Sequence, residues 1–361
     1  MEKLPIMKRV DRALMLSMWL LIVLYCAGCA EVQKPTSEDA KIYFYQGVTY
    51  YKKGLYDQAI SAFTKSIEID PKHAITYYNR GTGYYAKKQY DQAISDFTKS
   101  IEIDQKHAYV YNNRGIAYRD KGQIDQAIAD FTKAIEIQPR YAGAYVNRGS
   151  AYSEKGQYDQ AISDCNKAID IDPNYALAYN NRAYAYYEKG QYDQAISDCS
   201  KAIEIDPKLA MAYYNRGIAY REKGQYDQAI SDYTKAIDID PKDAKAYVNR
   251  GSAYSEKGQY DQAISDCNKA IDIDPKDAKA YNNRGNAYYE KGQYDQAISD
   301  CSKAIEIDPN FAEAYHNRGV AYFIRSEYKK AWEDVNKTQD LGHGVKPEFL
   351  KALREATGRE N

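Results

Sequence analysis

Four histidines, two tryptophans and six cysteines are a thin supply of chemically versatile side chains for a chain of 361 residues. His73, His107, His316 and His343 have no Cys, Ser or ligand set beside them at a useful spacing, so neither a metal centre nor a nucleophile and base pair is expected. Gly81-Thr82-Gly83 has no strand before it and is no phosphate loop. Neither sign of charge dominates: 50 Lys and Arg stand against 51 Asp and Glu. Such a balance lacks the basic footprint that nucleic acid demands. The expectation is a protein that is not an enzyme, holds no cofactor and no metal, and does not bind nucleic acid. Long apolar runs are missing as well, apart from one uncharged stretch over residues 13–30. Proline and glycine are sparse and evenly spaced, which points to a period.

From Ala40 to Val345 the chain repeats one 34-residue phrase nine times, beginning at Ala40, Ala74, Ala108, Ala142, Ala176, Ala210, Ala244, Ala278 and Ala312. Counting each opening alanine as place one, Tyr at places four and eleven and Gly at place eight share one face of a helix. A second helix over places 17 to 30 aligns Tyr, Ala, an apolar or Cys residue, and Ala or Ser at places 17, 20, 24 and 27. Gly122, Gly156 and Gly190 stop the first helix, the following Asp can cap the second, and Pro71, Pro139 and Pro173 separate hairpins. Of 39 tyrosines, 26 lie at places four, eleven or seventeen, so the tyrosine excess belongs to the architecture. Cys165, Cys199, Cys267 and Cys301 all stand at place 24 and read as small core hydrophobes, too far apart to be bridged.

This pattern of small and aromatic residues at places 4, 8, 11, 20, 24, 27 and 32 resembles the tetratricopeptide repeat family, over 306 of the 361 residues. Departures are local: Ala183 for Gly, Gln105 for Pro, Lys88 and Ser326 for the turn Gly. Arg or Gln at place seven, where the family usually has Leu, is systematic. The resemblance implies an all-α fold, a right-handed superhelical solenoid of nine helix-turn-helix repeats whose groove is lined by the first helices. A lone hairpin cannot bury enough apolar surface, so neighbours must stack. Residues 346–361 read as a C-terminal capping helix and tail, opened by Pro347 and laying Phe349, Leu350 and Leu353 on the last repeat.

At the other end, Lys3, Lys8, Arg9 and Arg12 precede the uncharged run, which closes on Cys26-Ala27-Gly28-Cys29. That resembles a bacterial lipoprotein signal over residues 1–28, with Cys29 lipidated and residues 29–39 a polar tether. The mature chain then carries −3, with 46 basic against 49 acidic side chains. An uncleaved anchor helix is the other reading of this segment, and both place the repeats outside the cytoplasmic membrane. The expected localisation is the bacterial cell envelope, with the array held near its membrane.

Opposite the buried stripe the wheel places positions two, six, nine and thirteen, with five and twelve beside them. Place six is an unbroken ladder of Asn79, Asn113, Asn147, Asn181, Asn215, Asn249, Asn283 and Asn317. An amide offers a donor and an acceptor, so these could hold an extended peptide backbone, or could orient neighbouring helices. In superhelical glycosyltransferase relatives a similar series is understood to hold peptides. Place twelve carries Tyr85, Arg119, Tyr187, Arg221 and Tyr289 as candidate interface anchors. Arg at place seven and Asp at place 23 occur in the same eight repeats, which predicts ion pairs within or between hairpins. A longer period overlies the first: residues 144–173 are identical to residues 246–275, so groove features of one block should recur 102 residues on. The functional expectation is a membrane-tethered adaptor that binds peptide segments of envelope proteins in its groove. The alternative is a self-assembling, cell-wall-associated structural repeat protein.

Overall fold

A computed structural model describes residues 35–358, and among them there are nineteen helices and no strand. The signal segment, Cys29 and most of the tether lie outside the described residues. The chain divides into two compact units, one ending at Gln123 and one beginning at Ile124. The first holds the hairpins Ser37–Lys52 with Tyr56–Ile69 and Ala74–Ala86 with Tyr90–Ile103, then the helix Ala108–Asp120. The second opens with Ile124–Ile137, continues through the hairpins of repeats four to nine, and ends on Pro347–Thr357. The first helix starts at Ser37, three residues ahead of the repeat, because Thr36 and Asp39 close a capping box there.

Each hairpin obeys the period closely. In repeat four the leading helix is Ala142–Glu154 and the trailing helix Tyr158–Ile171, separated by Gly156 at φ 71°. Lys88 and Ser326 take the same left-handed conformation without being glycine, a strain of about 1 kcal/mol each. The trailing helices are not capped by the Asp at place 18, contrary to the sequence reading: Gln157, for example, is the N-cap and gives no side-chain bond. That Asp instead meets the lysine that ends the next repeat's leading helix, as in Lys155 to Asp125 at 2.6 Å and Lys189 to Asp159 at 2.5 Å. The carboxylate still sits beside the helix's positive end, so it serves both.

The core also differs in detail from the predicted stripe. Fully buried positions on the leading helices are the alanines at places three and ten, such as Ala144 and Ala151, with the glycine at place eight between them. Apart from the buried Tyr111, the tyrosines at places four and eleven are only half-buried, because they flank the arginine at place seven: the Arg148 guanidinium lies 5.7 Å from Tyr145 and 5.9 Å from Tyr152. Arg148 binds Asp164 of its own hairpin through Nε and Nη2, both at 2.7 Å, and reaches back through Nη1 to Thr132 of the preceding repeat at 3.0 Å. Arg80, Arg182, Arg216, Arg250, Arg284 and Arg318 repeat this forked geometry at 2.7 to 2.8 Å on their own aspartates. The back-bonded partner is Thr, Ser or Asn at place 25, and a Thr or Ser there passes its own proton to a carbonyl one turn earlier, as Thr132 does to Ile128 at 2.8 Å. The aspartates are buried, so the predicted pairs are desolvated rather than superficial.

Place 24 fills the space above the place-eight glycine. Where it is Phe63, Phe97 or Tyr233, a Cβ on the facing glycine would collide, at 2.5 Å for Gly47, 2.8 Å for Gly81 and 2.8 Å for Gly217. Opposite Cys165 the nearest atoms to a Cβ on Gly149 are 3.2 Å away, and opposite Cys199 the chain already carries Ala183. Cysteine therefore acts as a small spacer, and burial pushes the Cys165, Cys267 and Cys301 thiols up to about 12, which leaves them inert. At the C-terminal end Leu353 is fully buried against Ala331 and Val335, with Phe349 and Leu350 beside it, so the capping helix covers the last repeat as its sequence suggests.

Two outcomes are expected in urea unfolding. Gly217→Ala should cost about 1 to 3 kcal/mol by overpacking Tyr233, whereas Gly149→Ala should stay within about 1 kcal/mol because added helix propensity offsets a mild contact. Arg216→Ala, which strands the buried Asp232, should cost about 3 kcal/mol or more, and the double variant Arg216→Met with Asp232→Leu should recover most of that loss.

Candidate functional site in the second unit

The leading helices of repeats four to seven bring their place-two, six, nine and twelve side chains to one face of the second unit. There they border a cleft of about 860 Å³ with Asn181, Asn215, Ser150 and Ser153 on its lining. Its large exposed apolar side chains are Met211, Tyr184 and Ile273, exposed to 55%, 40% and 37%. Exposed side chains of this size are where a partner finds apolar area to cover. Met211 and Tyr184 stand at the outward-facing places two and nine, but neither residue type recurs there along the array, so periodicity does not single them out.

The asparagine ladder is half-buried throughout and has a structural role in at least four rungs. The amide of each of these rungs donates to the side chain at place five of the preceding repeat: Asn113 to Tyr78 at 2.9 Å, Asn215 to Asn180 at 3.0 Å, Asn249 to Tyr214 at 2.7 Å and Asn317 to Asn282 at 3.0 Å. Asn181 accepts from Asn180 at 3.3 Å, and Asn79 donates to its own helix at Ile75. Asn147 and Asn283 lie at the same register on the same face. The rungs of the second unit thus share a surface, but only Asn181 and Asn215 line the large cleft. Asn317 lines a smaller recess of about 300 Å³ with Tyr289, His316 and Phe349. Burial and the nearby His343 and Lys346 hold His316 below its ordinary pKa.

The place-twelve residues are not the exposed anchors that the sequence suggested. Tyr85, Tyr187 and Tyr289 are half-buried against the first tyrosine of the following helix, with ring centroids 5.8, 5.6 and 5.5 Å apart. Tyr85 also donates to Asp120 at 2.6 Å. Arg119 meets Asp120 at 3.3 Å, and Arg221 is held by Glu222 at 2.8 Å and Asn249 at 3.1 Å. Place twelve lies one turn from the hairpin bend, close enough for its ring to fold onto the trailing helix.

A missed feature is a row of glutamates at place thirteen: Glu154, Glu188, Glu222, Glu256 and Glu290, all exposed. Their spacing of 34 was legible, and the outward-facing register marked them. Among the described residues no group of His, Cys, Asp and Glu is arranged to hold a metal ion, and no helix is long and apolar enough to cross a membrane.

Comparison with family models fixes the lineage. Models described as tetratricopeptide repeat match residues 40–73, 74–107, 176–209 and 278–311, and, in a second model, 97–129, 199–231 and 301–333. A model described as TPR repeat matches 115–156, 149–190, 217–258 and 251–292, so together the matches run unbroken from residue 40 to 333. The chain belongs to the tetratricopeptide repeat family.

Solved structures agree on the fold of these tetratricopeptide repeats. A chain of the APC/C hetero-tetramer Cut9-Hcn1 superposes with a TM-score of 0.61 at 19% identity, over 82% of this chain and 57% of that one. A tetratricopeptide repeat protein from Parabacteroides merdae ATCC 43184 gives 0.53 at 23% identity, over 71% of this chain and 100% of that one. Pseudomonas aeruginosa pilF gives 0.52 at 19%, over 58% and 96%. No curated protein matches the sequence. Tetratricopeptide repeats form protein-interaction scaffolds that take protein or peptide partners, and a scaffold of this kind is typically non-catalytic.

Proposed function

We propose that the chain is a non-catalytic adaptor, exported and held at its membrane, whose leading-helix face takes extended segments of other cell-envelope proteins. The observation that carries the binding reading is the cleft of about 860 Å³, in which two asparagines of the ladder stand beside exposed apolar side chains. An amide has two donor hydrogens and an acceptor oxygen, so the bond from Asn215 to Asn180 leaves it capacity for a peptide backbone. Structural and ligand-holding roles are compatible on one rung. Support for export and tethering comes from the leader alone: a basic start, an uncharged core and Ala27-Gly28-Cys29 at its end.

A pull-down from detergent-solubilised envelope tests the binding reading. The wild-type chain should retain specific proteins that the triple variant Asn147→Ala, Asn181→Ala, Asn215→Ala loses, at equal helical content by circular dichroism. Equal recovery by both would take the ladder out of the mechanism, and filaments in place of a defined small oligomer would favour a self-assembling structural protein. For the anchor, radiolabelled palmitate should enter the wild-type chain and be absent from Cys29→Ser. Incorporation by both variants would sink the lipoprotein assignment.

A further inference from the structure

The large cleft is where the array stops repeating itself. Residues 144–173 and 246–275 are identical, so a feature built from them alone would appear twice. The cleft draws on other residues as well, and these are not repeated: 102 residues after Tyr184, Met211, Tyr214 and Asp240 stand Asn286, Glu313, His316 and Gly342. At that later register Phe349 of the capping helix packs on His316, their rings 6.0 Å apart, and lines the recess there. Ser150, Ser153, Glu154, Asn180 and Asn181 do recur 102 residues on, whereas the apolar and acidic residues that complete this cleft do not.

The charge of the cleft is lopsided. Glu154, Asp240, Asp243, Asp274 and Asp277 line it, against Lys242 and Lys245. Four of those carboxylates are fixed by backbone N–H groups: Lys242 N donates to Asp240 at 3.1 Å, Lys245 N to Asp243 at 3.0 Å, Lys276 N to Asp274 at 3.0 Å and Lys279 N to Asp277 at 2.9 Å. Backbone amides carry no net charge, so these bonds fix the carboxylates and leave each its formal charge, with Asp243 and Asp277 also facing the positive ends of the helices they cap. The same cleft is lined by Met211, whose thioether adapts to varied shapes, and by Tyr184. From this we infer that the cleft selects an extended protein segment in which a bulky apolar side chain is flanked by lysine or arginine, one segment per chain. Charge complementarity chooses this occupant. The apolar anchor covers Met211 and Tyr184, while the flanking cations meet carboxylates already oriented, and the concave wall concentrates their field. The inference rests on the peptide-binding reading above and adds the chemistry of the peptide.

Short random peptides displayed on phage, selected on the full chain in detergent micelles, separate the two claims. Enriched sequences should carry Lys or Arg on either side of Leu, Met, Phe or Trp, and synthetic copies should bind with one-to-one stoichiometry. Met211→Glu, which installs the residue found 102 positions later, should weaken them at least about tenfold with an unchanged melting temperature, since Met211 is exposed. Asp240→Asn with Asp274→Asn should weaken binding and flatten its dependence on salt. Enrichment of acidic or uncharged peptides, or affinity indifferent to Met211→Glu, would overturn the proposed chemistry while leaving a peptide-binding groove. Failure to enrich any peptide would remove both. A dimer by light scattering that Met211→Glu makes monomeric would show the occupant to be a second copy, which also overturns it.

Discussion

A forked ion pair joins the two helices of a hairpin and, through one further nitrogen, the hairpin before it. The guanidinium at place seven spends Nε and Nη2 on the aspartate at place 23 and Nη1 on place 25 of the previous repeat. Taking those charges out of water is costly, and the cost is offset only when every donor and acceptor is placed well. Here the fork is bidentate, two tyrosines flank the guanidinium in most repeats, and a Thr or Ser that accepts from Nη1 has its own proton satisfied one turn back. An arrangement so demanding fixes the register of stacking as well as its strength. Alanine cores alone would allow hairpins to slide, because small methyl surfaces discriminate poorly between neighbouring registers.

The same constraint explains what the repeats are free to vary. Place 24 must fill the gap over place eight, and it does so with a ring against glycine, with Val335 over Gly319 in the last repeat, or with cysteine, which tolerates alanine at Ala183. Tyr233 is the costly variant, for its buried hydroxyl has no hydrogen-bond partner. Outward-facing positions bear no such duty. Places two and nine change from repeat to repeat, and the cleft arises where a large apolar choice at both coincides with acidic turns, around Tyr184 and Met211. Uniform packing thus underlies a surface that is locally singular.

Helix boundaries, hairpin turns and the Arg with Asp pairing were legible because each depends on contacts at fixed offsets within a 34-residue period, and the capping helix because Pro347 opens an amphipathic run. Three things were not. Places three and ten carry the deepest leading-helix burial, yet alanine reads as neutral on a helical wheel. The aspartate at place 18 looked like a cap, but its partner lies thirty residues later, as Asp125 and Lys155 show. Tyr85, Tyr187 and Tyr289 looked like exposed anchors, whereas a ring one turn from a bend can fold onto the next helix, a matter of angle rather than of sequence.

By itself the sequence determined the family, the repeating all-α hairpins and which charged places pair with each other, since all of these follow from periodicity and local spacing, while the choice of partner within the hairpin was made by the fold. Only tertiary structure decided which outward-facing side chains stay available. Whether an asparagine bonds its neighbour, a tyrosine lies down or a methionine remains bare depends on how adjacent hairpins are turned against each other. That rotation is set by the sum of many packed contacts and by no single residue.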